Sequence, residues 1–339
     1  MTEFARRAGE RVKAWFSANA DHVTLKFYPE PDAEPLVPGD GYVRLWLAEG
    51  FLAKAVSWGN KHFPALHGGV TLTFANQLTP FTRFTKPAAT LAAPGAYIDY
   101  PMTPLLPFAG GTVEVEAALY QASVAGPLAA AVAIGGSIAS LIGPPLSVAA
   151  AIADKVGTGL DTVLATQDEK PVLGLHHTLI AAGGGGQVLR GGHLVVVNAP
   201  ESEVPASLRV AEGRLRTDAG LLTGFDYLVV RVECRTQHDE LRFPNLAELE
   251  QRAAYEWQMG NADRYREIRA QAVAEALGSP DLIARDRTVV ARYVAGRFDA
   301  LKEFGAVPGE EGGFDPIPAH LLPGQDEVAN LTLDDLLRD

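Results

Sequence analysis

At 339 residues the chain is long enough for one large domain or two ordinary ones with a sizeable core. Apolar residues make up 47% of it and charged residues 21%, a globular composition rather than a disordered or membrane-integral one. The formal net charge of −12 argues against a general nucleic-acid binder, which needs a basic surface for phosphates. The acid is concentrated at the C-terminus. From Ala306 onward there are eight acids and one base, Arg338, so this tail carries −7 and the preceding residues only −5.

The first eighteen residues lack the apolar core of a signal peptide and predict a charged amphipathic helix. Phe4, Ala8, Val12 and Trp15 share one face, and Arg6, Arg7, Arg11 and Lys13 decorate the rest. Docking on the core is the plain expectation; lying on a membrane surface is the alternative for a basic helix carrying Trp15 and Phe16.

Short strands follow. His22–Tyr28 alternates with period two, and Tyr42–Trp58 reads as a strand running into a helix. Val70–Phe74, Ala96–Tyr100 and Thr112–Leu119 are further strands, separated by glycine and proline turns. Beyond residue 165 come Val172–Ile180, His193–Asn198, a hairpin over Leu208–Thr217 turning at Glu212-Gly213, and Tyr227–Cys234. This pattern predicts an α+β fold with an antiparallel sheet or sandwich core.

Between these two sets of strands no charged residue occurs from Glu116 to Asp154. Pro127 and Pro144-Pro145 divide this stretch, and its longest unbroken piece would span about 24 Å as a helix, short of the roughly 30 Å hydrocarbon core. We expect an apolar helical hairpin inserted over about 117–165. Gly135, Ala139 and Gly143 recur every four residues, a small-residue face against which another backbone can approach closely.

Past Pro244 three helical stripes are expected: Leu246, Leu249, Ala253 and Trp257; Tyr265, Ile268, Ala272 and Ala276; and Ile283, Val290, Val294 and Leu301, the third helix starting at Ser279-Pro280. The first pair resembles a tetratricopeptide hairpin, but no second copy follows and no repeat array is expected. The organisation is thus a β-rich core domain over 1–243, a helical segment over 244–305 and an acidic flexible tail over 306–339. The tail ends in Leu331-Thr332-Leu333-Asp334-Asp335-Leu336-Leu337. Thr332 and Asp335 form a near capping box, and one helical turn would bring Leu333, Leu336 and Leu337 together as a docking peptide.

Catalytic and cofactor signals are weak. The glycines Gly183–Gly186 precede a strand rather than a helix, so a hairpin loop is expected and no nucleotide cofactor. His67-Gly68-Gly69 and Gly135-Gly136-Ser137-Ile138-Ala139 partly match esterase motifs in the wrong structural context. His176 and His177 point to opposite faces of one strand, so no shared metal ion is expected. The one cysteine, Cys234, ends an apolar run and reads as a structural thiol in a reducing, cytoplasmic compartment.

The leading functional expectation is a non-catalytic interaction or assembly component. It would present the hairpin (Gly135, Ala139, Gly143) and the tethered peptide (Leu333, Leu336, Leu337) to a protein partner or a second copy. The alternatives are a pore-forming type of effector that meets membranes only after a conformational change, and an atypical hydrolase.

Overall fold

The computed structural model describes residues 3–53, 62–74, 77–85, 97–123, 171–243, 245–304, 317–328, 331–332 and 335–336. The fold is α+β, and its two larger sheets are built almost wholly of antiparallel pairs. The strands are β1 (Thr24–Pro29), β2 (Tyr42–Phe51), β3 (His62–Phe74), β4 (Gln77–Thr85), β5 (Tyr97–Pro101), β6 (Leu106–Pro107) and β7 (Thr112–Ser123). After the inserted stretch come β8 (Leu173–Ile180), β9 (Gln187–Val188), β10 (Gly192–Val197), β11 (Arg209–Ala211), β12 (Arg214–Thr217), β13 (Gly220–Leu221) and β14 (Tyr227–Arg235). The helices are α1 (Glu3–Ala18), α2 (Leu246–Gln258), α3 (Ala262–Leu277), α4 (Ala284–Phe304) and the short α5 (Gln325–Val328). No helix among the described residues is long and apolar enough to cross a membrane.

The described residues form two compact units, one from 3–38 and 43–235, the other from 39–42 and 236–336. In the β-rich unit one sheet runs β1-β10-β14-β2-β5, with β6 beside β2, and the other runs β4-β3-β7-β8-β9. They meet along β14, which lies against β7 and β8. Alternation decides which residues fill the layer between them. Val113, Val115, Leu175 and Leu179 come from one sheet, and Leu45, Leu47, Leu228 and Val230 from the other; all are buried. Gly68 marks a close approach, because a Cβ there would lie 3.0 Å from the Met102 side chain and 3.3 Å from Leu47 Cδ1.

Several elements differ from the sequence reading. Residues Ala117–Ser123 are not the start of a helical hairpin; they continue β7, in register with Gly68 through His62 of β3. Most of the expected hairpin, 124–165, lies outside the described residues. β3 starts at His62 rather than Val70, and β4 was not foreseen, because Pro64, Gly68, Gly69 and Pro80 look like breakers. The ladder explains how they fit: among the described residues Pro64 pairs only with Gln121 of β7, and Pro80 lies on β4 at the end of the sheet. The 209–217 hairpin forms as expected. Glu212 and Gly213 both have positive φ, 54° and 70°, the requirement of a tight two-residue turn.

α1 docks through its apolar face. Val12 is fully buried, and Trp15 lies over Gly174 of β8, where a Cβ would come within 2.9 Å of the ring. That burial supports the docked reading of this helix rather than the membrane-surface one.

In the helical unit, the stripes on α2, α3 and α4 converge on one core centred on Tyr265, Phe298, Val294 and Ala272. Gly260, at φ 78°, takes the left-handed position that ends α2. The third helix starts at Ala284, not at Pro280. Leu282 and Ile283 are both buried, and Arg287 N–H reaches the Ile283 carbonyl at 3.0 Å, so Ile283 is the N-cap. Trp257, expected in the core stripe, is 38% exposed and instead leans on the Tyr265 ring at 5.3 Å.

Candidate functional site

The helical unit holds the strongest recognition geometry. Three polar contacts lock its helices. Arg297 of α4 grips Glu250 of α2 with two hydrogen bonds of 2.6 and 2.8 Å. Arg269 of α3 grips Asp299 of α4 at 3.1 and 3.2 Å. The Tyr265 hydroxyl donates to the Phe298 carbonyl at 2.5 Å. Bidentate pairs of this kind fix helix register as well as adding energy.

Arg269 has a third task. Its Nη1 donates to the main-chain carbonyl of Leu336 at 2.9 Å, and the Leu336 side chain is 2% exposed within the core of this unit. The tail therefore returns to its own helices. Ile317 is buried in the same core, and Leu322 and Leu331 pack against it. The expected capping box forms: Thr332 N–H donates to Asp335 Oδ2 at 3.0 Å, and Asp335 N–H donates to Thr332 Oγ1 at 3.2 Å. One helical hydrogen bond, Leu336 N–H to the Thr332 carbonyl at 3.2 Å, completes the turn.

Leu336 contributes two terms to the hold on this peptide. Burying one leucine contributes about 1.5–3 kcal/mol. A hydrogen bond from a charged donor adds roughly 1.5–3 kcal/mol. Ordering the peptide costs about 1–2 kcal/mol per residue, so the contact of Leu331 with the same core shares in holding it.

Of the residues expected to bind partners, Leu336 is seen and is seated on its own helical unit. Leu333, Leu337, Gly135, Ala139 and Gly143 lie outside the described residues. Arg269 and Glu250 were missed by the sequence reading. The signal was there: both are charged residues inside an apolar helical stripe, next to Ile268 and Leu249, and such a charge needs a buried partner. On the outer side of the unit, α2 shows Tyr255 and Met259, each 61% exposed. A cleft of about 290 Å³ runs beside them, lined by Arg252, Tyr255, Glu256, Arg264 and Ile268.

The β-rich unit carries three polar clusters. On one sheet face the Trp46 indole lies between two guanidinium groups, Arg44 and Arg231, each 4.8 Å from the ring centroid. Against the burial that would raise it, hydrogen bonds from Arg44 and Trp46 hold the Glu233 carboxyl down at about 2. Arg231 also pairs with Asp99 at 3.2 Å. Next to it across the strands, burial and the Arg231 charge press His193 down to about 4. The second cluster is the fully buried Glu49, which accepts from the Leu215 N–H at 2.8 Å and the Tyr227 hydroxyl at 2.6 Å.

The third cluster lies on the face that α1 covers. Glu116 and His176 are cross-strand partners there, with Glu114 beside them. Burial and the neighbouring Glu114 raise Glu116 to about 7, against the pull of Lys13 on α1. Burial and Lys13 lower His176. His177 pairs with Val115 on the opposite face, so the two histidines diverge as expected.

The esterase-like motifs are described only in part. His67, Gly68 and Gly69 sit inside β3, flanked by β4 and β7, where ladder pairing occupies the backbone. Ser137 lies outside the described residues. The glycines Gly183–Gly186 form the loop between β8 and β9. Burial, with Glu30 and Glu233 nearby, pushes the Cys234 thiol up to about 12, far from a reactive thiolate at neutral pH. Groups of three or more side chains able to hold a metal ion do not occur among the described residues. No protein-family model, curated protein or solved structure matches the chain.

Proposed function

We propose that this chain is a non-catalytic protein-interaction or assembly component, with the C-terminal helical unit and the Leu336 peptide as its recognition elements. The observation that supports this reading is the contact between Arg269 and the Leu336 carbonyl. A buried guanidinium that meets one peptide carbonyl, beside a core that takes one leucine side chain, is a recognition geometry, and here the chain carries both the seat and a peptide that fits it.

Light scattering on the full chain, alone and after cross-linking in its native extract, tests the reading. The comparison is with the full chain carrying Leu336→Asp. A change in mass, or a defined cross-linked complex that depends on Leu336, is expected. Two identical, strictly monomeric proteins with no cross-linked partner would overturn it.

A further inference from the structure

We propose that the seat of Leu336 is an exchangeable recognition site for short leucine-bearing peptides of a protein partner, with the chain's own C-terminus as the resident competitor. The partner segment would present a leucine just after a Thr/Ser-x-x-Asp turn. This deepens the interaction reading above and rests on it.

Three observations carry the inference. First, the occupant is visible. Among the described residues, the seat takes the buried Leu336 side chain and the Leu336 carbonyl. Second, the seat keeps its charge balance when the peptide leaves. Arg269 is 3% exposed at its side chain and is already paired through two nitrogens with Asp299. Losing the Leu336 carbonyl removes one acceptor and leaves no uncompensated buried cation. Third, the peptide closes its own turn. Thr332 and Asp335 satisfy each other's donors, and both are exposed. A segment with the same self-capped turn and leucine therefore offers the same carbonyl and the same side chain to Arg269 and the core.

The test is fluorescence anisotropy with a labelled synthetic peptide of residues 329–339, titrated with the full chain carrying Leu336→Ala. Saturable binding is expected, at least ten-fold tighter than to the wild-type chain, whose own Leu336 competes. Alanine at the 336 position of the peptide should abolish binding. Arg269→Lys, added to the Leu336→Ala chain, should weaken binding at least five-fold, with circular dichroism showing that the helices remain.

Absence of saturable binding to the folded Leu336→Ala chain would overturn the proposal, as would equal binding of the native and alanine peptides. The two readings fail separately. Assembly that depends on Leu336 without peptide binding in trans would remove only the exchange. Peptide binding in trans without any partner or assembly would support the seat and remove only the wider function.

Discussion

Arg269 donates one hydrogen bond to the main-chain carbonyl of Leu336, 67 residues away, while two of its other nitrogens hold Asp299. One guanidinium thus belongs both to the packing of α3 on α4 and to the seating of the tail. The first role is permanent, because a buried cation needs a carboxylate. The second depends on a tail whose Leu331 and Leu336 reach the core of this unit. Leu336→Ala should cost about 2 kcal/mol, at the low end for a buried leucine because the turn can detach rather than leave a cavity. Arg269→Ala should cost more, roughly 2–4 kcal/mol, since it removes a buried side chain and its charged hydrogen bonds to both Asp299 and the tail, while the half-exposed Asp299 returns to water. Urea unfolding followed through Trp257, which leans on Tyr265, checks both.

A second prediction concerns Glu49. Its carboxylate is fully buried and receives the Leu215 N–H and the Tyr227 hydroxyl. Glu49→Gln keeps the shape but replaces one of the two accepting oxygens by an amide nitrogen, which points a donor at a donor. The expected loss is roughly 2–3 kcal/mol in denaturant unfolding. Glu49→Asp, which shortens the reach to both partners, should behave similarly.

Alkaline stability should depend on Glu116. Its carboxyl titrates near 7 in the folded chain against an ordinary 4.5, so the folded state favours the neutral form. The corresponding stability is fully present below about pH 4.5 and is lost as pH rises through 7. The loss is at most about 3 kcal/mol before solvent screening reduces it. Glu116→Gln should therefore be more stable than the wild type at pH 8 and nearly equal to it at pH 5, as thermal melts at the two pH values would show.

Acid acts through His193. Burial and Arg231 lower it to about 4 from an ordinary 6.5. The unfolded chain takes up the proton first, so stability falls as pH drops from 6.5 to 4, by up to about 3 kcal/mol. His193→Gln should flatten this limb. An unchanged acid limb in that variant would exclude His193 as its source.

The seat of α1 offers a steric test. Gly174 leaves room for Trp15, and a Cβ there would lie 2.9 Å from the ring and 3.5 Å from Val12. Gly174→Val should cost about 1–3 kcal/mol and expose the Trp15 indole. Trp15→Leu in the same chain should recover part of the loss. Additive losses would mean that the two side chains do not meet.

Local pattern and tertiary pairing decided different things in this protein. Alternating apolar residues placed β7, β8, β10 and β14 within a few residues, because a half-buried sheet imposes its period on the chain. Glu212-Gly213 announced a tight turn, and the three apolar stripes past Pro244 announced three helices. Thr332 and Asp335 announced the capping box, since both partners lie within one turn. All of these are short-range constraints. The long-range ones were not legible. Pro64, Gly68, Gly69 and Pro80 read as breakers, and only the neighbours of β3 and β4 show that a strand accommodates them. Arg269 is a charge beside an apolar stripe that the sequence reading passed over, and its partners lie 30 and 67 residues further along the chain. Composition could declare that such a charge must be compensated; only packing could bring Asp299 and Leu336 to it.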